Sequence, residues 1–338
     1  MMRLPWFDYR APRSVAEAAQ ILAGEGPQAM LIAGGTDLLP NMKRRHQTPK
    51  VLVSLKGIER LKKISNGSGL NLGAGLSLTE VTNSESVKNK FTALYQAAAQ
   101  VATSHLRNMG TIGGNLCLDT RCSYYNQNYE WRKAIDFCLK KDGEICWVAT
   151  ASKRCVAVSS TDTAPALIAL NASVTLEGTG GERSIPVEAL YKNDGIDYLS
   201  RKPDEILTKV SIPAGWKSTY WKLRRRGSFD FPILGVAVAL KLSSENIIQD
   251  ARVALGAAAS RPFLVEKASA YLKGKTLTDD VIAEASAMIA SRAKPMDNTD
   301  MDLYWRKEVA DDFAGYALRE LRGDDMRDMR RRIARFLP

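Results

Sequence analysis

Ala29-Met30-Leu31-Ile32-Ala33-Gly34-Gly35-Thr36-Asp37-Leu38 is the stretch on which the fold turns. A short apolar run bounded by glycine reads as a buried strand. The adjacent glycines carry no Cβ, so successive backbone N–H groups in the turn can form an anion-binding nest. The arrangement returns at Asn108-Met109-Gly110-Thr111-Ile112-Gly113-Gly114-Asn115, again behind an apolar segment. Thr36 and Thr111 add hydroxyl donors. Two such turns in one domain can clamp the two phosphates of a pyrophosphate, which suits a dinucleotide held without a Rossmann unit. Either stretch can equally be a tight turn and nothing more, and the residues alone leave both readings open.

The 338 residues suggest two domains, perhaps three, and 45% hydrophobic content supplies a sizeable core. The net charge of +11 permits an anionic partner without choosing among nucleic acid, acidic protein and anionic substrate. His46 and His105 are the only histidines, which excludes a His-rich metal site. GxSxG and GxxxxGK[ST] are absent, and Gly73-Ala74-Gly75 stops short of GxGxxG, so hydrolase, P-loop and Rossmann readings fall away. No apolar run has membrane-spanning length, and the first residues lack a signal-peptide core, so a cytoplasmic location is expected.

Ser14 and Glu17 have capping-box spacing, which predicts a helix over 14–23. Strands are expected at 29–33, 51–55, 70–74, 173–176, 205–212, 236–242 and 251–257. Helices are expected at 80–88 with Thr79 as N-cap, at 91–101 and at 263–273, with an Arg-rich one over 316–337. A boundary falls near Pro213-Ala214-Gly215-Trp216. The expected domains are 1–215, 216–325 and a basic tail at 326–338, with residues 119–158 inserted into the first.

FDYRAPRSVAEAAQIL, LIAGGTDLLPNMK, NMGTIGGN and TDTAPALIAL, in that order, resemble the FAD-binding subunits of the molybdenum hydroxylase family, which includes xanthine and carbon monoxide dehydrogenases. ARVALGAAASRP and EKASAYLKG resemble the C-terminal domain of the same subunits. The resemblance implies an α+β fold: a two-part FAD-binding domain of the vanillyl-alcohol-oxidase type, then an α+β domain of the CO-dehydrogenase flavoprotein C-terminal type. It implies FAD held by Leu31, Ile32, Ala33, Gly34, Gly35, Thr36, Asp37 and Leu38, and by Thr111, Ile112, Gly113, Gly114 and Asn115. Asp162 matches an acidic position at the flavin nucleotide, and it is also placed to cap the following helix. Leu207 and Lys222 match positions lining the isoalloxazine ring, and Val101 one flanking the adenine side. Lys222 would supply a cation for reduced flavin.

In the plain family pattern a handful of residues separates IGGN from the D-x-x-P-A-L segment. Here 46 lie between Asn115 and Asp162. This insertion holds Cys122, Cys138, Cys146 and Cys155, spaced C-x15-C-x7-C-x8-C, among many aromatic residues. Four thiolates suit zinc or a 4Fe-4S cluster, and the spacing matches no common zinc ribbon or ferredoxin motif. Disulfides are disfavoured in a reducing compartment. Beside a flavin, a one-electron carrier extends an electron chain, so a 4Fe-4S cluster is expected. Cys117 reads as a small buried side chain outside the set.

The chain has no molybdopterin site and no catalytic residues of its own on this reading. The resemblance implies a large molybdenum subunit and a small 2Fe-2S subunit as partners, in a dimer of heterotrimers. The inserted module resembles that of reductive relatives, which points to a low-potential donor such as ferredoxin. An oxidative hydroxylase passing electrons outward is the alternative within the family. A zinc-stapled nucleic-acid-binding protein using Arg327, Arg330, Arg331, Arg332 and Arg335 is the alternative outside it. Asp324, Asp325 and Asp328 interrupt that basic run, which reads better as a solvated or subunit-contacting helix.

Overall fold

The computed structural model describes residues 3–335; residues 1–2 and 336–338, including the end of the expected basic tail, lie outside the described residues. β1 (Asp8–Arg10), β2 (Ala29–Ile32) and β3 (Val51–Ser54) form a parallel sheet in the order β1-β3-β2. Parallel strands need a crossover connection, and helix Val15–Glu25 provides the first. The Ser14 hydroxyl accepts the Glu17 N–H at 3.1 Å. The Glu17 carboxylate reaches back to the Arg13 N–H, at 2.9 Å, so the box closes one residue upstream of its expected place. Val15, Ala18, Ala19 and Leu22 bury their face against Val51 and Val53.

β4 (Ile64–Asn66), β5 (Gly69–Gly73), β6 (Ser173–Gly178), β7 (Gly181–Pro186) and β8 (Ile206–Pro213) make an antiparallel sheet in the order β4-β5-β8-β6-β7. Pairing of β5 with β8 draws the two halves of the first domain together. Its core packs on helices Thr92–Ala99 and Thr163–Ala169.

β9 (Lys217–Leu223), β10 (Leu234–Leu242), β11 (Ile248–Gly256) and β12 (Phe263–Leu264) form a third sheet, in the order β12-β11-β10-β9. This sheet is buried on both faces. Trp221, Val236, Val238, Leu240, Val253 and Leu255 pack with the core of helices Asp279–Arg292 and Leu303–Arg322. Tyr220, Ala237, Ala239 and Ala254 belong to the core of the first domain. The alternation is the two-residue period of a strand, and the small side chains on the second face let helix Thr163–Ala169 come close. A Cβ at Gly256 would lie 2.9 Å from Pro165.

Three local expectations change. Ser77, not Thr79, caps the helix after β5, because Ser77 and Glu80 complete a capping box and the run breaks into Leu78–Asn83 and Glu85–Lys90. The second glycine turn winds into a short helix, Ile112–Leu116. The Arg-rich end is two helices, Leu303–Arg322 and Arg327–Arg335, split at Gly323, whose φ of 120° no other residue adopts easily. β9 and helix Asp279–Arg292 lie outside the expected elements. No helix among the described residues is long and apolar enough to cross a membrane.

Candidate functional site

The two glycine stretches meet face to face. A Cβ at Gly34 would overlap the Met109 carbonyl, and one at Gly110 would lie 3.4 Å from Thr36 Oγ1. Between them opens a cavity of about 420 Å³, the size of a small-molecule site. Every residue from Leu31 to Leu38 lines it, as do Thr111, Gly113, Gly114 and Asn115. Ile112 points into the core instead. Val101, Asp162 and Leu207 line the same cavity.

The donors are unequally shared. Among the described residues, the N–H groups of Gly34, Gly35, Thr36 and Asp37 make no hydrogen bond within the chain. Gly35 has a φ of 70°. That is the expected nest. At the second stretch the N–H groups of Ile112 and Gly113 go to the Leu76 and Ala74 carbonyls, both at 2.9 Å. The Gly114 N–H goes to the Thr111 hydroxyl at 3.0 Å. No second backbone nest forms there; the stretch contributes a close wall and the Thr111 hydroxyl.

Asn115 ties this wall to the next site segment. Its Oδ1 accepts the Thr161 and Thr163 hydroxyls at 2.8 and 2.6 Å. Asp162, between them, stands at the N-cap position of helix Thr163–Ala169 but makes no capping bond. Its carboxylate accepts Lys222 Nζ at 3.0 Å and the Tyr220 hydroxyl at 2.9 Å. Lys222 also donates to the carbonyls of Gln100 and Asp230, at 3.0 and 3.1 Å. It is fully buried and is absent from the cavity wall. Burial pushes the Asp162 carboxyl up and the Lys222 ammonium down, and their pairing opposes both. Lys222 therefore sits behind Asp162, with its three donors used, rather than at the lining position expected of it.

The wall also contains residues that the sequence reading passed over. Asp119 and Arg121 come from the start of the insertion, Tyr198 from the loop before β8, and Phe229 and Phe231 from the β9–β10 loop. None belongs to a glycine motif or a periodic segment, so composition offered no signal for them.

The insertion is mostly irregular chain around one short helix, Tyr129–Ala134, capped by Asn128. Arg121 and Val158 close its stem by pairing N–H to carbonyl in both directions, at 2.8 and 2.7 Å. Cys122, Cys138, Cys146 and Cys155 are all buried free thiols, and all four line one small void of about 10 Å³ with Tyr125, Lys140 and Trp147. Burial pushes the Cys122 thiol up to about 12 and the Cys155 thiol up to about 11. The Ala157 N–H donates to Cys155 Sγ at 3.4 Å. Cys117 lies apart, on the wall of the large cavity. Among the described residues no three His, Cys, Asp or Glu side chains converge on the point a single ion would occupy.

Residues 5–215 match the family described as the FAD binding domain in molybdopterin dehydrogenase, and residues 218–321 match the CO dehydrogenase flavoprotein C-terminal domain. The chain is 32% identical over 293 residues to the aldehyde oxidoreductase FAD-binding subunit PaoB of Escherichia coli, covering 82% of this chain and 90% of the relative. It is 27% identical over 319 residues to the carbon monoxide dehydrogenase medium chain of Hydrogenophaga pseudoflava, covering 93% and 96%. A solved carbon monoxide dehydrogenase from that organism, lacking the Mo-pyranopterin moiety of its cofactor, superposes with a TM-score of 0.76 at 26% identity, over 94% of this chain and 97% of that one. The cavity fits the cofactor this family binds: free N–H groups for a diphosphate and apolar walls for flat rings. Bound FAD supplies the passage of one or two electrons, and the protein supplies its binding and tuning. The chain belongs to the FAD-binding subunits of the xanthine and CO dehydrogenase molybdenum hydroxylase family.

Proposed function

We propose that this subunit carries a 4Fe-4S cluster on Cys122, Cys138, Cys146 and Cys155 beside its FAD, and serves a molybdenum enzyme of the 4-hydroxybenzoyl-CoA reductase type. Electrons from a low-potential donor such as ferredoxin enter at the cluster and leave through the flavin. They pass to 2Fe-2S clusters on a small subunit and to molybdenum on a large one. Two electrons and two protons then convert 4-hydroxybenzoyl-CoA to benzoyl-CoA and water. Leu31–Leu38 and, from the second loop, Thr111, Gly113, Gly114 and Asn115 hold the FAD, with Val101, Asp162 and Leu207 on the same wall, Ile112 anchoring the second loop in the core and Lys222 behind Asp162.

The observation that carries the reading is the gathering of four thiols, distant in sequence, around one void. Four thiols suit zinc or a 4Fe-4S cluster, and beside a flavin a one-electron carrier extends an electron chain, which favours the cluster. The void is small, so the sulfurs have to part to admit the cluster, and the irregular chain of the insertion permits it. The site is also joined to the flavin cavity. Lys140, on the void, donates to Asp119, on the cavity, at 2.8 Å, and the Tyr125 hydroxyl donates to the same carboxylate at 3.1 Å. A cluster here lies next to the flavin in the electron path.

Relatives in this family bear names such as carbon monoxide dehydrogenase and nicotinate dehydrogenase, which favours outward electron flow as the second reading. Iron, sulfide and zinc analysis with an absorption spectrum of anaerobically purified protein tests the cluster; iron with sulfide is expected, and stoichiometric zinc without iron would falsify it. Direction is tested by stopped-flow reduction of the flavin with reduced ferredoxin, in the wild type and in Cys138→Ser. Flavin reduction at the wild-type rate without the cluster removes its role as electron entrance.

A further inference from the structure

Lys140 is the one charged residue among the described residues that line the thiol void. It follows Cys138 by two positions. Its side chain is 6% exposed, and that of its partner Asp119 is 5% exposed. The next residue, Lys141, is only half-buried and pairs with Asp142 at 3.2 Å. The Lys140 ammonium uses all three of its donors inside the protein. It donates to Asp119 Oδ1 at 2.8 Å, to Thr120 Oγ1 at 2.7 Å and to the Gly195 carbonyl at 2.5 Å. It also lies 4.7 Å from the centre of the Tyr125 ring, which lines the same void.

Gly195 brings the ammonium against the sulfurs. Its N–H donates to the Cys155 carbonyl at 2.9 Å. A Cβ on Gly195 would come within 2.6 Å of Cys155 Sγ, so only a residue without a side chain fits here. One residue therefore touches both the Lys140 ammonium and the Cys155 sulfur. Asp119 lies on the other side. It lines the flavin cavity and is absent from the void, and its second oxygen accepts the Tyr125 hydroxyl at 3.1 Å. The ion pair thus has a direction, with its cation towards the thiols and its carboxylate towards the flavin cavity.

A buried ion pair gives little net stability over apolar side chains of similar volume, so stability does not account for these charges. What the pair supplies is a fixed positive charge in a wall of low polarity, where charge interactions are strong. A cluster held by four thiolates gains one negative charge on reduction, and its potential follows the local charge, the hydrogen bonds to its sulfurs and its exposure. We propose that Lys140 sets the potential of the cluster: its ammonium, held on the thiol side by Asp119, Thr120 and Gly195, favours the reduced form. The inference rests on the proposed 4Fe-4S cluster and assigns a role to a residue that is not a ligand. With its three protons committed elsewhere, Lys140 acts by its charge across Gly195 and not by a bond to sulfur.

The two partners predict opposite shifts. Lys140→Met removes the cation and is expected to cost a tenfold to hundredfold preference for the reduced cluster, which lowers the one-electron potential by about 59 mV for each tenfold. Asp119→Asn leaves the cation and removes the carboxylate that offsets it, so the potential is expected to rise, by less than the fall in Lys140→Met. The amide suits the site, because its Oδ1 keeps Lys140 and its Nδ2 can donate to the Tyr125 hydroxyl oxygen. An EPR-monitored redox titration of the full-length chain, purified anaerobically, reads both shifts, with iron and sulfide per chain measured beside it. A pair that only holds the insertion together lowers cluster content in both variants and leaves the potential of the remaining clusters unmoved. That result, or a shift of the same sign in both variants, overturns the proposal. Where Lys140→Met purifies without its cluster, Asp119→Asn decides alone, and an unmoved or lowered potential overturns the proposal. Wild-type protein without iron and sulfide removes the cluster reading and this inference with it, whereas a loaded wild type with unshifted variants removes only the role of Lys140.

Discussion

Gly34 and Gly35 are neighbours, yet a side chain fails at each for a different reason. At Gly34 a Cβ would strike the Met109 carbonyl, so the residue serves the approach of one loop to the other. Gly35, at φ 70°, holds a left-handed turn and exposes its N–H. Gly34→Ala is therefore expected to destabilise the whole first domain, seen as a lower unfolding midpoint with and without FAD. Gly35→Val carries roughly 1–2 kcal/mol of backbone strain and is expected to keep the fold while losing most bound flavin, read as the 450 nm absorbance per chain. Full flavin content in folded Gly35→Val protein would remove the nest from the binding scheme. His46 carries the pH dependence of this region. It is buried against Tyr125, with ring centroids 4.2 Å apart, and its Nε2 donates to the Gln127 carbonyl at 3.2 Å. Burial lowers its pKa from 6.5 to about 4. The unfolded chain therefore binds the extra proton between those values, and stability present above pH 6.5 is lost as pH falls towards 4. Between pH 7 and pH 5 this amounts to about 2 kcal/mol. His46→Phe keeps the stacking and is expected to flatten that part of the urea-midpoint profile; an unchanged profile would acquit His46.

Among the elements, the terminal helix Arg327–Arg335 packs Met329 and Ile333 on the second core and is clasped on its polar side by one residue. Arg330 reaches Glu320 at 2.6 Å, lies 4.1 Å over the Trp221 ring and donates to Thr219 Oγ1 at 2.8 Å. Glu320 accepts in turn from the Trp221 indole at 3.0 Å. Arg330→Ala is expected to cost roughly 1–2 kcal/mol and to raise protease cleavage at the C-terminal helix, whereas Arg331→Ala, whose partner Asp328 is exposed, is expected to change neither. The basic run in the sequence is thus partly a structural clasp. The elements themselves were readable to different degrees. Strands β2, β3, β5, β8, β10 and β11 announced themselves as apolar runs ended by glycine, proline or polar residues. β9 did not, because its Lys217-Ser218-Thr219 start looks like loop and its burial comes from partners on both faces. The second glycine stretch shares its composition with the first, and only the carbonyls of Leu76 and Ala74 and the Thr111 hydroxyl decide that its N–H groups are consumed.

At the scale of the whole molecule, the two domains are joined by a sheet with two cores, and the flavin cavity depends on both. The glycine loops and Asp162 were legible because each is a compact motif, but the support behind Asp162 comes from β9, far along the chain, and no local pattern reveals that partnership. Alternation on β9 explains it. Tyr220 and Lys222 point to the first domain, and Trp221 between them points to the second. Removing one member of a buried ion pair strands the other and costs roughly 3–5 kcal/mol, while replacing both costs much less. Lys222→Met should accordingly destabilise the protein by that order and loosen FAD, because the unpaired Asp162 carboxylate turns towards solvent or takes up a proton. Asp162→Asn with Lys222→Met removes both charges and should recover more than half of the lost stability, a coupling that independent sites do not show. FAD content should follow the same order: wild type, then double variant, then Lys222→Met. If the double variant is as unstable as the sum of the single ones, the pair does not act as the link between the domains. If stability returns while FAD does not, the charged Asp162–Lys222 pair acts on the flavin directly, beyond holding the cavity wall in place.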